Sequence, residues 1–340
     1  PEDGTPLLGR HELRLDLSRP EVRDYIVESV GGVLDSAPIS YVKWDMNRHS
    51  PALGAAAHRN VLGLYEVLRR IFGARSEILL ESCASGGGRF DLGMLCFSPQ
   101  IWASDDTDPV ERLDIQDGLS YLYPQSAWGA HVSQSPHAQT LRATPLSTRG
   151  NVSFFGLLGY ELDLDELSPV EEAEISAQIA FYKAHRSAFQ FGEFSRLPCE
   201  DGAVCWQVRE EGRVLAGLFQ RLVHAAPGHE RLRVPGLPRE KRYHIVSRPQ
   251  LLKVGGFGSL LRHVAPVKLK PGGLLLSAAD RHYKLYDAQL DVCASGAALA
   301  AGIALPQRFA GTGYDPAVRV QGDFGSNIYC IEEETENGEA

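Results

Sequence analysis

Acidic side chains follow two predicted strands in the first third of the chain, at a spacing that allows them to act together. Asp45 follows SYVKW, which is predicted to be a buried strand, in the segment SYVKWDMNR, which also supplies Lys43 and Asn47. Asp105 and Asp106 end the later segment QIWASDD, two strand–helix units further along. Because the carboxyl ends of parallel strands meet at one edge of a sheet, we expect these acids to face each other.

Two carboxylates across a cleft are what glycoside hydrolysis requires: one attacks or activates water, and the other protonates the leaving oxygen. Lys43 lies two residues before Asp45 on the same strand face and is expected to favour the ionised carboxylate. Asp108 precedes a proline and is instead interpreted as a helix N-cap. Trp102 is interpreted as a wall of the pocket, with core packing as the alternative.

Strands and helices alternate without hairpins up to about residue 190. Strands are predicted at 11–18, 39–45, 77–82, 100–106, 127–133 and 157–163. Ser18 with Glu21, and Ser168 with Glu171, form S-x-x-E capping boxes that open two of the helices. The alternation predicts a parallel sheet, and the polar strand ends favour a (β/α)₈ TIM barrel over residues 1–190. An open doubly wound sheet is the alternative.

The pattern changes after about residue 190. Short segments that alternate apolar with polar residues, separated by glycine and proline, predict an antiparallel β-sandwich over residues 191–330. Trp206 and Tyr243 are expected in its core, with sugar binding as the alternative. Residues 331–340 are acidic, and we expect them to form a frayed tail.

Composition excludes several functions. A formal net charge of −9 argues against nucleic-acid and anionic-membrane partners, and no apolar run approaches the ~20 residues of a membrane span. The six cysteines lack C-x-x-C and zinc-finger spacing, so we expect reduced thiols, a cytoplasmic location and no metal. The segment SGGGRF lacks the Lys-Ser/Thr of a phosphate-binding loop, and no cofactor is expected.

Long blocks of the sequence resemble the bacterial α-galactosidases of glycoside hydrolase family 36. The blocks are KWDMNR (43–48), ESCASGGGRFDLGML (81–95), WASDDTDPVERLDIQDG (102–118), TPLSTRG (144–150) and GTGYDPAVRVQGDFGS (311–326). The resemblance implies a (β/α)₈ barrel and a retaining double displacement. It also implies release of terminal α-1,6-linked galactose from melibiose, raffinose or stachyose, and a homo-oligomer, a tetramer, for the full-length enzyme.

The same resemblance assigns roles to individual residues. It places the nucleophile at Asp45 and the acid/base at Asp105, with Asp106 as the weaker candidate for the latter role. It also implies a set of substrate-binding residues: Arg10, Lys43, Asn47, Cys83 and Gly86, to which Trp102 and Asp106 are added by position.

The chain departs from the family at its beginning. The family carries a large β-sandwich before the barrel and an aspartate pair on an early strand, and neither is found here. We therefore expect a portion of a longer enzyme, starting at about the third barrel strand and poorly active alone. The alternatives to an α-galactosidase are an α-N-acetylgalactosaminidase, a raffinose-type galactosyltransferase and a non-catalytic carbohydrate-binding fragment.

Overall fold

The computed structural model describes most of the chain, namely residues 8, 11–47, 55–199, 202–223, 231–260, 267–270, 272–305 and 322–334. These residues form two compact units. The first comprises the described residues up to Asp106 together with 126–129, and the second comprises 107–125 and the described residues from Ala130 onward.

The first unit alternates short strands with helices. Its helices are α1 (Pro20–Ser36), α2 (Ala55–Phe72) and α3 (Leu92–Leu95), and its strands are β1 (Tyr41–Trp44), β2 (Leu79–Ser82), β3 (Gln100–Trp102) and the first two residues of β4 (Trp128–Ser133). Each strand pairs in parallel with the next. The register sets Lys43 opposite Glu81 and Trp102 opposite Gly129. The predicted parallel strand–helix arrangement is therefore confirmed.

Helix α2 supplies the apolar face that holds this sheet. Val67, Leu68 and Ile71 follow each other at helical spacing and are fully buried. They belong to one cluster with Leu80 of β2 and Ile101 of β3. Burying each such side chain contributes about 1.5–3 kcal/mol, so the helix fixes the positions of the strand ends.

The second unit begins with helices and ends with sheets. Its helices are α4 (Pro109–Leu119), α5 (Leu146–Ser153), α6 (Pro169–Phe191), α7 (Leu274–His282) and α8 (Gly296–Ala301), with 3₁₀ turns at Leu164–Glu166 and Val254–Leu260. A further 3₁₀ turn, Gln125–Ala127, has its first residue in the second unit and the other two in the first. The rest of β4 lies beside β5 (Leu157–Glu161). Helix α6 opens with the predicted capping box, since the Ser168 side chain accepts from the Glu171 N–H and Glu171 bonds back.

The remaining strands are antiparallel, as predicted. They are β6 (Glu193–Arg196), β7 (Ala203–Glu210), β8 (Arg213–Gln220), β9 (Arg231–Leu232), β10 (Arg242–Ser247), β11 (Leu251–Leu252), β12 (Leu285–Tyr286), β13 (Asp291–Ser295), β14 (Ile303–Ala304) and β15 (Ser326–Glu333). Six of them form a sheet in the order β13-β10-β15-β8-β7-β6, and β11 with β12 and β14 with β9 form two small sheets. Trp206 and Tyr243 are buried, which confirms their core assignment and leaves little surface for a sugar.

Three local predictions near the start of the chain are wrong. Residues 11–18 form no strand, because Leu13 and Leu15 are exposed and no apolar partner covers them within the described residues. Helix α1 lacks the predicted capping box, since Arg19 is its N-cap and pairs with Glu21. Strand β1 is not buried, because in the described part of the chain it pairs with β2 alone.

The last strand extends into the residues that were predicted to form a frayed acidic tail. Strand β15 continues to Glu333, three residues into the predicted tail, because Lys241 pairs with Glu333 and Arg213 with Glu332. All six cysteines are free thiols, of which Cys96 and Cys293 are exposed rather than buried. Of the helices that the structure describes, none has the length and apolar character needed to cross a membrane.

Candidate active site

The acidic residues singled out in the sequence follow the carboxyl ends of β1 and β3. Asp45 comes directly after β1, Cys83 directly after β2, and Asp105 three residues after β3. All three belong to the first unit. Because β1, β2 and β3 run parallel, these strand ends lie at the same edge of the sheet.

Asp45 is an exposed carboxylate surrounded by hydrogen-bond donors. Partial burial raises its pKa, but hydrogen bonds from the Cys83 thiol, the Met46 N–H, the Asn47 side chain and the Ser85 N–H outweigh that effect. The distance from the Met46 nitrogen to Oδ1 is 2.7 Å. The pKa of Asp45 is therefore lowered, and the side chain is ionised at neutral pH, as a nucleophile must be.

Cys83 is buried between the two strand ends. Burial raises the pKa of its thiol to about 11, so the sulfur keeps its proton and donates to Asp45. The Cys83 N–H donates to the Trp44 carbonyl at 2.9 Å, and the Met46 N–H donates to the Cys83 carbonyl at 3.1 Å. The hydrogen-bond ladder thus continues past the last residues of β1 and β2 and fixes the backbone on both sides of Asp45.

Lys43 is held by a carboxylate other than Asp45. Its Nζ lies 3.3 Å from Glu81, which also accepts from the Tyr41 hydroxyl and is almost fully buried. The prediction that Lys43 keeps Asp45 ionised needs correction, because burial raises the pKa of Asp45 and the contributions that lower it are hydrogen bonds from other residues. An ammonium has three donors, so Lys43 can still bind a hydroxyl while it is paired with Glu81.

Asp105 is exposed and accepts a hydrogen bond from the indole of Trp102, with Nε1 3.0 Å from Oδ1. Trp102 itself is buried, which favours the packing interpretation over a pocket wall. The backbone N–H of Asp106 donates to the Ser104 hydroxyl at 3.0 Å, so the chain bends at this point. Asp108 caps α4, which confirms its predicted structural role.

The glycine-rich loop brings the two acidic segments together. Ser85 donates its N–H to Asp45, and the next residue, Gly86, has a φ of 84°. A Cβ at position 86 would lie 3.0 Å from the Cα of Ser104 and 3.1 Å from the nitrogen of Asp105. The loop thus binds Asp45 through Ser85 and passes close to the backbone of Ser104 and Asp105 at Gly86, where only glycine permits both the φ value and the approach.

Two residues at this edge were not assigned a role from the sequence. Arg89 donates through Nη2 to the carbonyls of Trp44, at 3.0 Å, and Cys83, at 2.6 Å, and so joins the ends of β1 and β2. Burial lowers the pKa of Arg89, against the favourable charge of Asp45 nearby. Glu81 lies in β2 and holds Lys43. The sequence signal for Arg89 is its position in the glycine-rich segment SGGGRF.

Of the other residues that the resemblance implies, Asn47 lies beside Asp45. Asn47 contributes to the lowered pKa of Asp45, and its Oδ1 lies 3.4 Å from the Ser85 hydroxyl. Arg10 lies outside the described residues. Among the described residues there is no group of three or more histidine, cysteine or carboxylate side chains that could hold a metal ion.

A parallel sheet with carboxylates after its first and third strands, and a glycine loop after the strand between them, is an arrangement found in α/β glycoside hydrolases. Residues 2–192 match the family model described as Melibiase, and the chain belongs to that family. The resemblance found in the sequence blocks is thereby confirmed.

Individual relatives agree with this membership. The α-galactosidase AgaA of Geobacillus stearothermophilus is 46% identical over 70% of this chain, and Mel36A of Lactobacillus acidophilus is 41% identical over the same share. The chain spans about a third of the length of these curated relatives, 34% of each.

Solved structures of related enzymes superpose on nearly the whole chain. The α-galactosidase from Lactobacillus brevis matches with a TM-score of 0.75 and 35% identity, covering 99% of this chain and 41% of that one. A variant of AgaA from Geobacillus stearothermophilus in complex with raffinose also matches with a TM-score of 0.75, at 36% identity, over 97% of this chain and 40% of its own.

Proposed function

We propose that this chain carries the catalytic acids of a retaining α-galactosidase that releases terminal α-1,6-linked galactose from melibiose- and raffinose-type oligosaccharides. One observation carries the proposal: Asp45, with a lowered pKa, accepts from the Ser85 N–H, and the next residue, Gly86, lies close to the backbone of Ser104 and Asp105. The similarity to α-galactosidases, one of them crystallised with raffinose, supports the choice of substrate.

In this proposal Asp45 attacks the anomeric carbon and forms a covalent glycosyl-enzyme while the bond to the leaving oxygen breaks. Asp105 gives its proton to that oxygen. It then accepts a proton from the water that attacks the anomeric carbon and releases Asp45. Lys43 and Asn47, which lie beside Asp45 in the chain, donate to hydroxyls of the sugar, and the Cys83 thiol supports the nucleophile as well as the substrate.

The proposal extends to the complete architecture. We assign β1 to β5 to a (β/α)₈ barrel within residues 1–190, and the six-stranded sheet to a β-sandwich within residues 191–330. Similarity to α-galactosidase crystal structures along almost the full chain supports this assignment. A homo-oligomer, a tetramer, and a cytoplasmic location also belong to the proposal, and light scattering of the purified protein tests the first.

The direct test is hydrolysis of p-nitrophenyl α-galactoside by the complete gene product, meaning this chain with any residues that its gene encodes before or after it. We expect α-galactosidase activity and release of galactose from melibiose. Preference for the N-acetylgalactosaminide would favour an α-N-acetylgalactosaminidase, and transfer to sucrose without hydrolysis would favour a galactosyltransferase. Raffinose binding without turnover of any substrate would favour a carbohydrate-binding fragment.

The same assay measures what residues 1–340 do alone. We expect them to be at least tenfold less active than a longer gene product. The reason is that binding several sugar hydroxyls, at roughly 1.5–3 kcal/mol for each hydrogen bond to a charged group, is needed to hold the anomeric carbon between the two acids. Equal activity of the two forms would show that residues 1–340 supply the whole pocket.

A further inference from the structure

The sheet fixes the position of the Trp102 indole, which contacts Asp105. Trp102 is the last residue of β3, and 2% of its surface is exposed. Its register partner on β4 is Gly129, where a Cβ would lie 2.9 Å from Cε3 of the indole. Any larger residue at 129 would push the ring away. The ring position is thus set by the sheet itself, and its Nε1 lies 3.0 Å from Oδ1 of Asp105.

The indole also contacts the residues around Asp45. Lys43 Nζ lies 4.7 Å from the centroid of the Trp102 ring, a distance at which a cation is attracted to the π-face. Lys43 is in turn held by Glu81, which is almost fully buried. A series of contacts therefore runs from Glu81 through Lys43 and Trp102 to Asp105. Within it, the indole N–H is the donor aimed at the proposed acid/base.

We propose that Trp102 is a positioning residue for Asp105, which selects the carboxylate oxygen that transfers the proton. The inference rests on the proposed function, in which Asp105 is the acid/base. An indole is a donor only, so Oδ1 must act as the acceptor whichever protonation state Asp105 adopts. When Asp105 is neutral its proton therefore resides on Oδ2. That oxygen gives the proton to the leaving group as the glycosidic bond breaks, and later takes one from water.

The kinetic test uses Trp102→Phe in the complete gene product. Phenylalanine keeps an aromatic ring against Gly129 but removes the donor. We expect kcat/KM for melibiose, whose leaving group needs the proton, to fall about 10- to 100-fold, the size expected for losing one hydrogen bond to a charged group. The value of kcat/KM for 2,4-dinitrophenyl α-galactoside, which reports the first step and needs no protonation there, should stay within about threefold.

The matched control is Trp128→Phe, which truncates another buried indole of the same unit. We expect that variant to change kcat/KM for both substrates by the same factor, as a packing defect would. An equal loss on both substrates in Trp102→Phe, or no loss on either, would overturn the proposal.

A second measurement does not depend on activity. The protein is labelled with ¹⁵N at its indole nitrogens. The N–H signal of Trp102 is assigned by its absence from the spectrum of Trp102→Phe. We expect the chemical shift of this signal to differ between wild type and Asp105→Asn, which replaces the acceptor carboxylate with an amide. An indole signal that is the same in wild type and Asp105→Asn would contradict the hydrogen bond. If no form of the protein hydrolysed any galactoside, the proposed function would fail while this difference would still be seen.

Discussion

The buried thiol of Cys83 donates a hydrogen bond to the carboxylate of Asp45. A cysteine is an unusual choice for this position, because a thiol is a weaker donor than a hydroxyl. Burial raises the pKa of Cys83 to about 11, so the group is neutral and donates over the whole pH range in which a glycosidase would work. It therefore helps to keep Asp45 ionised without adding a second negative charge.

Replacing Cys83 by alanine should move the acid limb of the pH profile to higher pH. Asp45 must be charged to attack, and its lowered pKa keeps it charged until the pH falls through that value. Without the thiol the pKa rises, so activity is lost earlier on acidification. The measurement is kcat/KM against pH for 2,4-dinitrophenyl α-galactoside. Cys83→Ser retains a donor and should keep the wild-type limb; identical profiles for alanine and wild type would contradict the assignment.

Asp45→Asn should lose about 10³-fold or more in turnover, because an amide cannot form the covalent intermediate. Steady-state hydrolysis of p-nitrophenyl α-galactoside by the complete gene product measures this loss. The control is Asp24→Asn on α1, which removes an exposed carboxylate that pairs with Arg70 and should leave turnover unchanged. Near-normal hydrolysis by Asp45→Asn would remove Asp45 from the mechanism.

Asp105→Ala should hydrolyse melibiose very poorly but form the glycosyl-enzyme readily from aryl galactosides with acidic leaving groups. Because the second step then lacks its base, added azide should replace water as the nucleophile and give α-galactosyl azide. A β-galactosyl azide would instead mean that the roles of Asp45 and Asp105 are exchanged. Rescue of Asp106→Ala but not of Asp105→Ala would move the acid/base role to Asp106.

The stereochemistry of hydrolysis should be retention. A retaining enzyme holds its two carboxyl groups about 5–5.5 Å apart, which leaves no room for a water molecule between them. The Ser85–Gly86 segment, which binds Asp45 and lies close to the Asp105 backbone, keeps the two acidic segments near each other. Proton NMR of the first product should show α-galactose before mutarotation. First formation of β-galactose would point to inversion.

Glu171 should stabilise the second unit in a pH-dependent way. Its pKa is lowered to about 2: burial opposes the charge, but hydrogen bonds from Lys253 and Ser168 more than compensate. The stabilisation is thus complete above the ordinary glutamate pKa and is lost as the pH falls from about 4.5 towards about 2. We expect Glu171→Gln to lower the free energy of unfolding by roughly 1–3 kcal/mol at neutral pH.

Urea unfolding at a series of pH values measures this effect, and the difference from wild type should shrink on acidification. Glu172→Gln is the matched control, because Glu172 is exposed in the same first turn of α6. A difference between Glu171→Gln and wild type that does not change with pH would show that the charge of Glu171 contributes nothing to stability.

The sequence predicted the structural features that depend on residues close together in the chain. The capping box at Ser168 and the N-cap at Asp108 are local hydrogen-bonding devices, and both are confirmed. Pairings across strands were not predictable in the same way. Lys43 meets Glu81 only because β1 and β2 adopt one particular register, and Arg89 reaches two strand ends only after the glycine loop has folded back. A spacing of two residues along β1 therefore suggested the wrong partner for Lys43.

The six-stranded sheet places its last strand in the middle. Strand β15 pairs with β10 on one side and with β8 on the other. During synthesis on the ribosome, β8 and β10 thus emerge before the strand that joins them. Until β15 is made, the edge of β8 in the part formed by β6, β7 and β8 has no partner, and neither has the edge of β10 in the part formed by β10 and β13. A chain that lacks residues from 326 onward would leave the facing edges of β8 and β10 unpaired. Strand β15 therefore joins the two halves of the sheet, and we expect truncation before it to favour aggregation through those two open edges.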